Sequence, residues 1–91
     1  MPYRVAVIGA GSWGTTFAVR LTKSSGVRGP VVLYEHFPDV ARDIQKRRIN
    51  RLFLPGVKLP NSLEVSNNLL ECVAGADIVF NAVPTQFIRG V

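Results

Sequence analysis

A glycine-rich loop between a short apolar run and a helical pattern constrains the fold of this chain more than any other feature. The run is Val5-Ala6-Val7-Ile8, and Gly9-Ala10-Gly11-Ser12-Trp13-Gly14 follows it directly. Gly9 permits a tight turn, Gly11 lets the backbone approach a ligand closely, and Gly14 lets the next helix pack against the strand. Because the free amides at the start of that helix form an anion site, the pattern predicts a strand, a phosphate-binding turn and a helix.

An acidic residue at the end of a second apolar run favours a dinucleotide site. Glu35 follows Val31–Tyr34, and it lies about 20 residues after the glycine loop, where a carboxylate can hydrogen-bond the ribose of a bound dinucleotide. Two simpler interpretations stay open, because the loop can be only a structural turn and Glu35 only a solvated acid. We expect both to bind the cofactor.

The composition fits one small folded domain without a nucleic-acid partner. Of the 91 residues, 47% are hydrophobic and 19% are charged, which favours a folded domain over an intrinsically disordered chain. The net charge of +5 is compatible with nucleic-acid binding, but much of it comes from one cluster. That cluster falls at an expected helix end, where the helix dipole favours solvated cations: Lys46, Arg47, Arg48 and Arg51. Aromatic residues are not interleaved with it, as base stacking would require.

The single cysteine and the lengths of the apolar runs exclude several other classes of protein. Cys72 alone cannot form an internal disulfide or a thiolate metal cluster, and its apolar neighbours predict a buried, inert thiol. No apolar run is long enough to span a membrane, and the run before the glycine loop is too short for a signal peptide. We therefore expect a cytoplasmic protein with no membrane partner and no bound metal.

Alternating strand and helix patterns predict an α/β fold, a Rossmann-like parallel sheet with strand order 3-2-1-4. The connection Asn50–Ser62 contains prolines and no periodicity, so we expect it to be irregular. The predicted strands are Tyr3–Ile8, Val31–Tyr34, Leu63–Val65 and Ile78–Val83. The predicted helices are Trp13–Thr22, Pro38–Ile49 and Leu69–Ala74.

The predicted strand order places the ligand crevice between the first and fourth strands. One wall of the crevice is the glycine loop, and the other is the loop after strand four, where Pro84 and Phe87 are candidate cofactor contacts. The chain ends soon after, which leaves strand four as a long apolar edge of a kind that complete domains usually cover. We expect the 91 residues to be the amino-terminal portion of a dinucleotide-binding domain, truncated after strand four, in a longer protein.

Four motifs, in order and in spacing, resemble one enzyme family. They are Gly9–Thr15 with its tryptophan between the last two glycines, the asparagine-to-LPG-x-x-LP connection Asn50–Pro60, the Ala76–Val79 segment, and Ala82–Arg89 with its Pro-Thr-Gln-Phe sequence. Together they are similar to the amino-terminal part of the NAD(P)-dependent glycerol-3-phosphate dehydrogenases. The nearest alternatives are another dehydrogenase of the same superfamily and a non-catalytic NAD(H)-sensing module.

The resemblance implies an oxidoreductase that interconverts sn-glycerol 3-phosphate and dihydroxyacetone phosphate, in the synthesis of glycerophospholipids. It also implies that Ser12 and Trp13 lie against the cofactor pyrophosphate, His36 and Phe37 near the adenosine ribose, and Phe87 near the nicotinamide half. The family's catalytic lysines and its helical substrate domain lie beyond this segment. None of the lysines here matches them, so we expect no catalytic residue and no activity from the 91 residues alone, and a possible homodimer at full length.

Two features depart from the family pattern, one in the segment after the second predicted strand and one in the fourth predicted strand. Glu35 precedes His36, and Phe37 occupies a position that is often arginine in members that accept NADP. Because a carboxylate binds a ribose 2′-hydroxyl and repels a 2′-phosphate, we expect NAD as the cofactor, with NADP as the alternative. Asn81 stands where the family has an apolar strand residue, and its partner can be either protein or cofactor.

Overall fold

A four-stranded parallel sheet forms the centre of the computed structural model, which describes residues 3–82. The elements, in chain order, are β1 (Val5–Ile8), α1 (Ser12–Leu21), β2 (Val31–Tyr34), α2 (Pro38–Arg47), β3 (Ile49–Asn50), β4 (Leu54–Lys58), β5 (Leu63–Ser66), α3 (Leu69–Val73) and β6 (Ile78–Asn81). The sheet order is β5-β2-β1-β6. It equals the predicted order 3-2-1-4 when β3 and β4, which form a separate two-stranded sheet, are left out of the count.

The strand pairing confirms the predicted α/β class. β1 lies between β2 and β6 and pairs with both in parallel, so that Ala6 is opposite Val32 on one side and Val79 on the other. β5 extends the sheet beyond β2, again in parallel. Since parallel neighbours require a crossover, helices cover the faces and the strands are apolar on both sides.

The hydrophobic core lies between the sheet and the two longer helices. Val7 and Leu33 from the central strands are fully buried, and Ala18 of α1 and Ile44 of α2 pack into the same cluster. Burying one such aliphatic side chain contributes about 1.5–3 kcal/mol. The apolar strand runs therefore hold the sheet against its helices, as the sequence predicts.

The connection that we expected to be irregular is a short antiparallel hairpin. β3 pairs with β4 with Ile49 opposite Lys58, and β4 accommodates Pro55 because one of its edges is unpaired. The helix before it also ends earlier than predicted. Arg48 adopts a left-handed conformation with φ 58°, so α2 stops at Arg47 and the chain turns into β3.

The remaining differences in element bounds are small. β1 begins at Val5 because Tyr3 forms only an isolated bridge with Val27. β6 ends at Asn81, and Val83, the predicted end of that strand, lies outside the described residues. The predicted helix ends at Thr22 and Ala74 are each one residue beyond the observed ones, which is ordinary variation at a frayed terminus.

The basic cluster at the end of α2 is only in part the solvated helix end that we expected. The Arg47 and Arg51 guanidinium groups are exposed and both donate to the Asp43 carboxylate. The hydrogen bond from Arg47, followed by that from Arg51, lowers the pKa of Asp43 below its ordinary value. Arg48 differs, because its side chain is half-buried and donates to the carbonyl oxygens of Pro60 and Leu63. It therefore joins the end of α2 to the start of β5.

Candidate dinucleotide-binding site

The candidate site lies at the carboxyl edge of the sheet, where the central strand has neighbours on both sides. Because the strands are parallel, the residues that follow β1, β2 and β6 meet at this edge. Gly9 follows β1 and donates its N–H to the Tyr34 carbonyl oxygen at 3.1 Å, which joins the glycine loop to the segment that begins at Glu35. Open α/β sheets bind their ligands at this edge, at the topological switch point of the sheet.

Two positions of the loop require glycine, each for a different structural reason. Gly9 has φ 112°, a conformation that side chains rarely adopt. A Cβ added at Gly14 would lie 1.9 Å from the Gly9 carbonyl oxygen and 3.1 Å from the Ala82 Cβ. Gly14 therefore allows α1 to pack directly on the ends of β1 and β6, which is the role that the sequence predicts for it.

Gly11 borders open space instead of a packed neighbour. Its φ is −72°, and a Cβ built there would meet no atom of the described residues within 4 Å other than those of its two chain neighbours. Gly11 precedes α1, and its carbonyl oxygen accepts the first helical hydrogen bond, from the Thr15 N–H at 3.0 Å. The space over Gly11 is a cradle that a side chain would fill and a ligand can enter.

The start of α1 presents amide donors to that cradle. Within residues 3–82, no acceptor is bonded to the N–H of Ser12 or Trp13, as expected for the first turn of a helix. The first turn also carries no acidic side chain, so nothing there repels an anion. The helix dipole adds a partial positive charge at the same place. The residues present thus fit a pyrophosphate group.

Trp13 is an exposed aromatic surface beside the loop. The residue is 64% exposed, and its indole stacks on the Phe17 ring at 5.2 Å with an interplanar angle of 14°. Phe17 in turn meets the Phe80 ring edge-on at 4.7 Å. Phe17, packed against Phe80, therefore covers one face of the Trp13 indole. Most of the Trp13 surface stays exposed to a ligand or to another segment.

Glu35 is buried, which excludes the interpretation of a solvated acid at a strand end. The residue is 7% exposed, and its Oε1 accepts a hydrogen bond from the Phe37 N–H at 3.1 Å. Arg48 Nε is the one side-chain nitrogen or oxygen of the described part that is fully buried without a partner. The second carboxylate oxygen of Glu35, Oε2, accepts no hydrogen bond within the described residues and is not fully buried.

His36 and Phe37 extend the site away from the glycine loop. His36 Nδ1 lies 3.2 Å from the Tyr34 hydroxyl oxygen, and its ring meets the Phe37 ring edge-on at 5.2 Å. Phe37 is 62% exposed. Asn67, which no sequence motif marks, donates from Nδ2 to the carbonyl oxygens of Glu35 and His36 at 3.1 and 2.8 Å. It holds the backbone of this segment in place.

The second wall of the crevice remains a prediction. Pro84 and Phe87 lie outside the described residues, so their expected contacts with a cofactor have no structural counterpart here. Asn81 is the last residue of β6, opposite Ile8, and it is exposed. The expectation that its partner is either protein or cofactor stays a prediction.

Three further observations concern the described part of the chain as a whole. Cys72 is 2% exposed, and burial raises the pKa of its thiol, which agrees with the predicted inert cysteine. From residue 3 to residue 82, none of the helices has the length and apolar character needed to cross a membrane. The same residues bring together no group of three or more His, Cys, Asp or Glu side chains that could hold a metal ion.

Comparison with known proteins identifies one family. The family model described as the N-terminus of NAD-dependent glycerol-3-phosphate dehydrogenase matches residues 4–91. A glycerol-3-phosphate dehydrogenase (NAD(P)+) of Chlorobium phaeobacteroides is 41% identical over 86 residues, which is 94% of this chain and 25% of the relative. The corresponding protein of Citrifermentans bemidjiense is 42% identical over 91 residues, 100% of this chain and 26% of the relative. The chain thus spans about a quarter of the length of these curated relatives.

Solved structures of the same name share the fold. The crystal structure of glycerol-3-phosphate dehydrogenase from Coxiella burnetii is 27% identical with a TM-score of 0.82, covering 92% of this chain and 25% of the other. The structure of glycerol-3-phosphate dehydrogenase from Saccharomyces cerevisiae is 29% identical with a TM-score of 0.83, covering 99% and 28%. The α/β fold described above is therefore the fold found in these enzymes.

Proposed function

The chain belongs to the family of NAD-dependent glycerol-3-phosphate dehydrogenase N-termini, and we propose that it forms the first part of that enzyme's cofactor-binding domain. The enzyme interconverts sn-glycerol 3-phosphate and dihydroxyacetone phosphate with NAD(H) or NADP(H). One observation carries the proposal: the cradle over Gly11 adjoins the unpaired amide groups of Ser12 and Trp13. A dinucleotide pyrophosphate has the charge and the acceptors that this arrangement requires.

The proposed roles of the site residues follow from their positions. The amides at the start of α1 hold the pyrophosphate, and the exposed Trp13 indole lies beside it. Glu35 offers Oε2 to a ribose hydroxyl, while His36 and Phe37 lie on the adenosine side of the crevice. When bound, the nicotinamide accepts or donates the hydride, and the residues of this segment bind and orient the cofactor. None of them is proposed as a catalytic residue.

We propose NAD(H) as the preferred cofactor. The buried Glu35 carboxylate favours the 2′-hydroxyl of NAD, and it repels the 2′-phosphate of NADP. Phe37 supplies no positive charge that would offset this repulsion. NADP(H) is the alternative, and the relatives carry both cofactors in the name NAD(P)+.

We propose the cellular location, the partners and the assembly for the full-length enzyme. It works in the cytoplasm without a membrane or nucleic-acid partner, supplies glycerol 3-phosphate for phospholipids, and forms a homodimer. Two arginines of the basic cluster support the absence of nucleic acid, because Arg47 and Arg51 are both paired with Asp43. The substrate-binding helical domain and the catalytic groups lie in the rest of the protein.

The test is oxidation of sn-glycerol 3-phosphate by the protein at its full natural length. With NAD present, we expect the absorbance of NADH to rise with substrate, and to stay flat with unphosphorylated glycerol as the control. With NADP in place of NAD, we expect a lower kcat/KM. If a folded sample reduces neither cofactor in the presence of sn-glycerol 3-phosphate, the proposed function is wrong.

A further inference from the structure

Asn50 is a buried polar side chain that connects three separate parts of the fold. It is 1% exposed and lies at the end of β3, in the hairpin that the sequence did not predict. Its Nδ2 donates to the Ala10 carbonyl oxygen and to Thr15 Oγ1, both at 2.8 Å, and its Oδ1 accepts from the Phe53 N–H at 3.4 Å. One side chain thus contacts the glycine loop, the first turn of α1 and the turn before β4.

The bond to Ala10 has a direct effect on the next amide. A trans peptide unit is planar, and its C=O and N–H point in opposite directions. Because Asn50 holds the Ala10 carbonyl toward the interior, the N–H of Gly11 points away from the interior. In the described part of the chain that N–H has no acceptor, and it belongs to the residue whose missing Cβ leaves the cradle open.

The bond to Thr15 fixes the other side of the same loop. Thr15 is fully buried, and its own N–H donates to the Gly11 carbonyl oxygen at 3.0 Å. Asn50 therefore holds both Ala10, the residue before Gly11, and Thr15, the helical residue whose N–H is bonded to the Gly11 carbonyl oxygen. These two hydrogen bonds fix the distance of the glycine loop and of the start of α1 from the hairpin.

We propose that Asn50 is a positioning residue for the cofactor, which acts by orienting the Gly11 N–H toward the pyrophosphate. This inference rests on the proposed function, because it assumes that the cradle over Gly11 binds the diphosphate of a dinucleotide. Asn50 itself touches no ligand, since it is buried beneath the loop. Its contribution is to preorganise a donor, so that ligand binding does not have to order the loop.

A purely structural role makes a different prediction. If Asn50 only satisfies buried polar groups, its loss destabilises the whole edge of the sheet. The affinities for all parts of the ligand then fall together. If Asn50 orients one amide, the loss is specific for ligands that carry a diphosphate.

The experiment compares ADP and adenosine as ligands of the full-length protein by isothermal titration calorimetry. Asn50→Leu keeps the shape of the side chain but removes both of its donors and its acceptor. We expect the affinity for ADP to fall by about tenfold to a hundredfold, the usual effect of losing a hydrogen bond to a charged group. The affinity for adenosine, which has no phosphate, is expected to change by less than about threefold.

The matched control is Gln45→Leu. Gln45 is also an amide side chain that donates to a backbone carbonyl, that of Val65, but it lies on α2 and does not contact the glycine loop. We expect both affinities to stay at the wild-type value in this variant. A fall in ADP affinity as large as that of Asn50→Leu would overturn the specific role.

If Asn50→Leu does not fold, a second pair of variants tests the same proposal. Thr15→Val removes one acceptor of Asn50 at constant shape, and Thr15→Ser retains the hydroxyl. We expect Thr15→Val to weaken ADP binding more than adenosine binding, and Thr15→Ser to restore the wild-type ADP affinity. Equal loss for ADP and adenosine in these variants, or no loss for either, overturns the inference. Failure of the wild-type protein to bind ADP or NADH contradicts the proposed function instead.

Discussion

The Glu35 carboxylate and the Phe37 backbone N–H form a hydrogen bond of 3.1 Å that closes the turn after β2. The bond fixes one carboxylate oxygen and leaves the other, Oε2, without a hydrogen bond in the described residues. Glu35 is therefore both a structural acceptor and a fixed negative charge in the candidate site. The two roles can be separated, because an amide retains the acceptor and loses the charge.

The Glu35→Gln variant tests the charge. Its amide oxygen can still accept from Phe37, so we expect the fold to be unchanged, while NADPH binding strengthens by about tenfold relative to NADH because the repulsion of the 2′-phosphate is gone. The measurement is a titration with each cofactor at low and at high salt, since screening reduces the difference. Glu64→Gln is the control, because Glu64 is an exposed acid within β5. An unchanged NADPH-to-NADH ratio would show that Glu35 does not select the cofactor.

Gly14→Ala should destabilise the protein. The added Cβ would lie 1.9 Å from the Gly9 carbonyl oxygen, so α1 has to move away from the sheet. We expect the free energy of unfolding to fall by about 3 kcal/mol, the upper part of the range for overpacking. The measurement is denaturation by urea, followed by circular dichroism. Wild-type stability in this variant would mean that the helix does not approach the strand as closely as described.

Gly11→Ala should have the opposite pattern. The backbone at Gly11 has φ −72° and the added Cβ meets no neighbour, so we expect an unfolding free energy within about 1 kcal/mol of wild type. Cofactor affinity should nevertheless fall, because the methyl group occupies the cradle. Gly26→Ala is the matched control, since Gly26 also has room for a Cβ and is exposed in the turn after α1. An NADH affinity equal to wild type in Gly11→Ala would argue against a pyrophosphate at this position.

The ion pairs of Asp43 predict a pH dependence at the end of α2. Because Arg47 and Arg51 lower the pKa of Asp43 in the folded state, the stabilisation is present above the unfolded-state pKa and is lost as the pH falls through the folded one, below about pH 4. We expect a carboxyl ¹³C titration by NMR to give Asp43 a pKa below that of an unfolded peptide. In Arg47→Leu this pKa should move upward. A pKa that stays the same in that variant would contradict the role of Arg47.

Cys72 should react slowly in the folded protein. It is 2% exposed, and burial raises the pKa of its thiol, so little thiolate is present at neutral pH. We expect iodoacetamide to modify it much more slowly under native conditions than in urea, as followed by mass spectrometry. Equal rates in the two conditions would show that α3 opens readily or that the thiol is accessible.

The sequence was sufficient for the parts of the fold that depend on local patterns. Apolar runs predicted the four strands of the parallel sheet, and the glycine spacing predicted the turn into α1. The hairpin was missed because Pro55 and Gly56 are usual signs of an irregular loop, and because the left-handed Arg48 that ends α2 is not glycine. Such a residue is recognised only from its backbone angles.

The site was predictable where its chemistry is local and was not where it depends on distant contacts. Glu35 was identified from its spacing, but its burial depends on the neighbouring segments that enclose the end of β2. Asn50 was noted only as part of a family motif, and its hydrogen bond to Ala10 joins residues that are 40 positions apart. Sequence patterns of helices and strands carry no information on such a pair.

The arrangement of the sheet also has a consequence for how the protein is made. The Arg4 N–H, just before β1, donates to the Asp77 carboxylate just before β6, across 73 positions of sequence. During synthesis β1 therefore emerges from the ribosome long before β6, the strand that pairs with one of its two edges. Until β6 is made, the nascent chain carries this apolar edge of β1 unpaired. Ribosome-bound intermediates that end before β6 should be the ones that molecular chaperones bind.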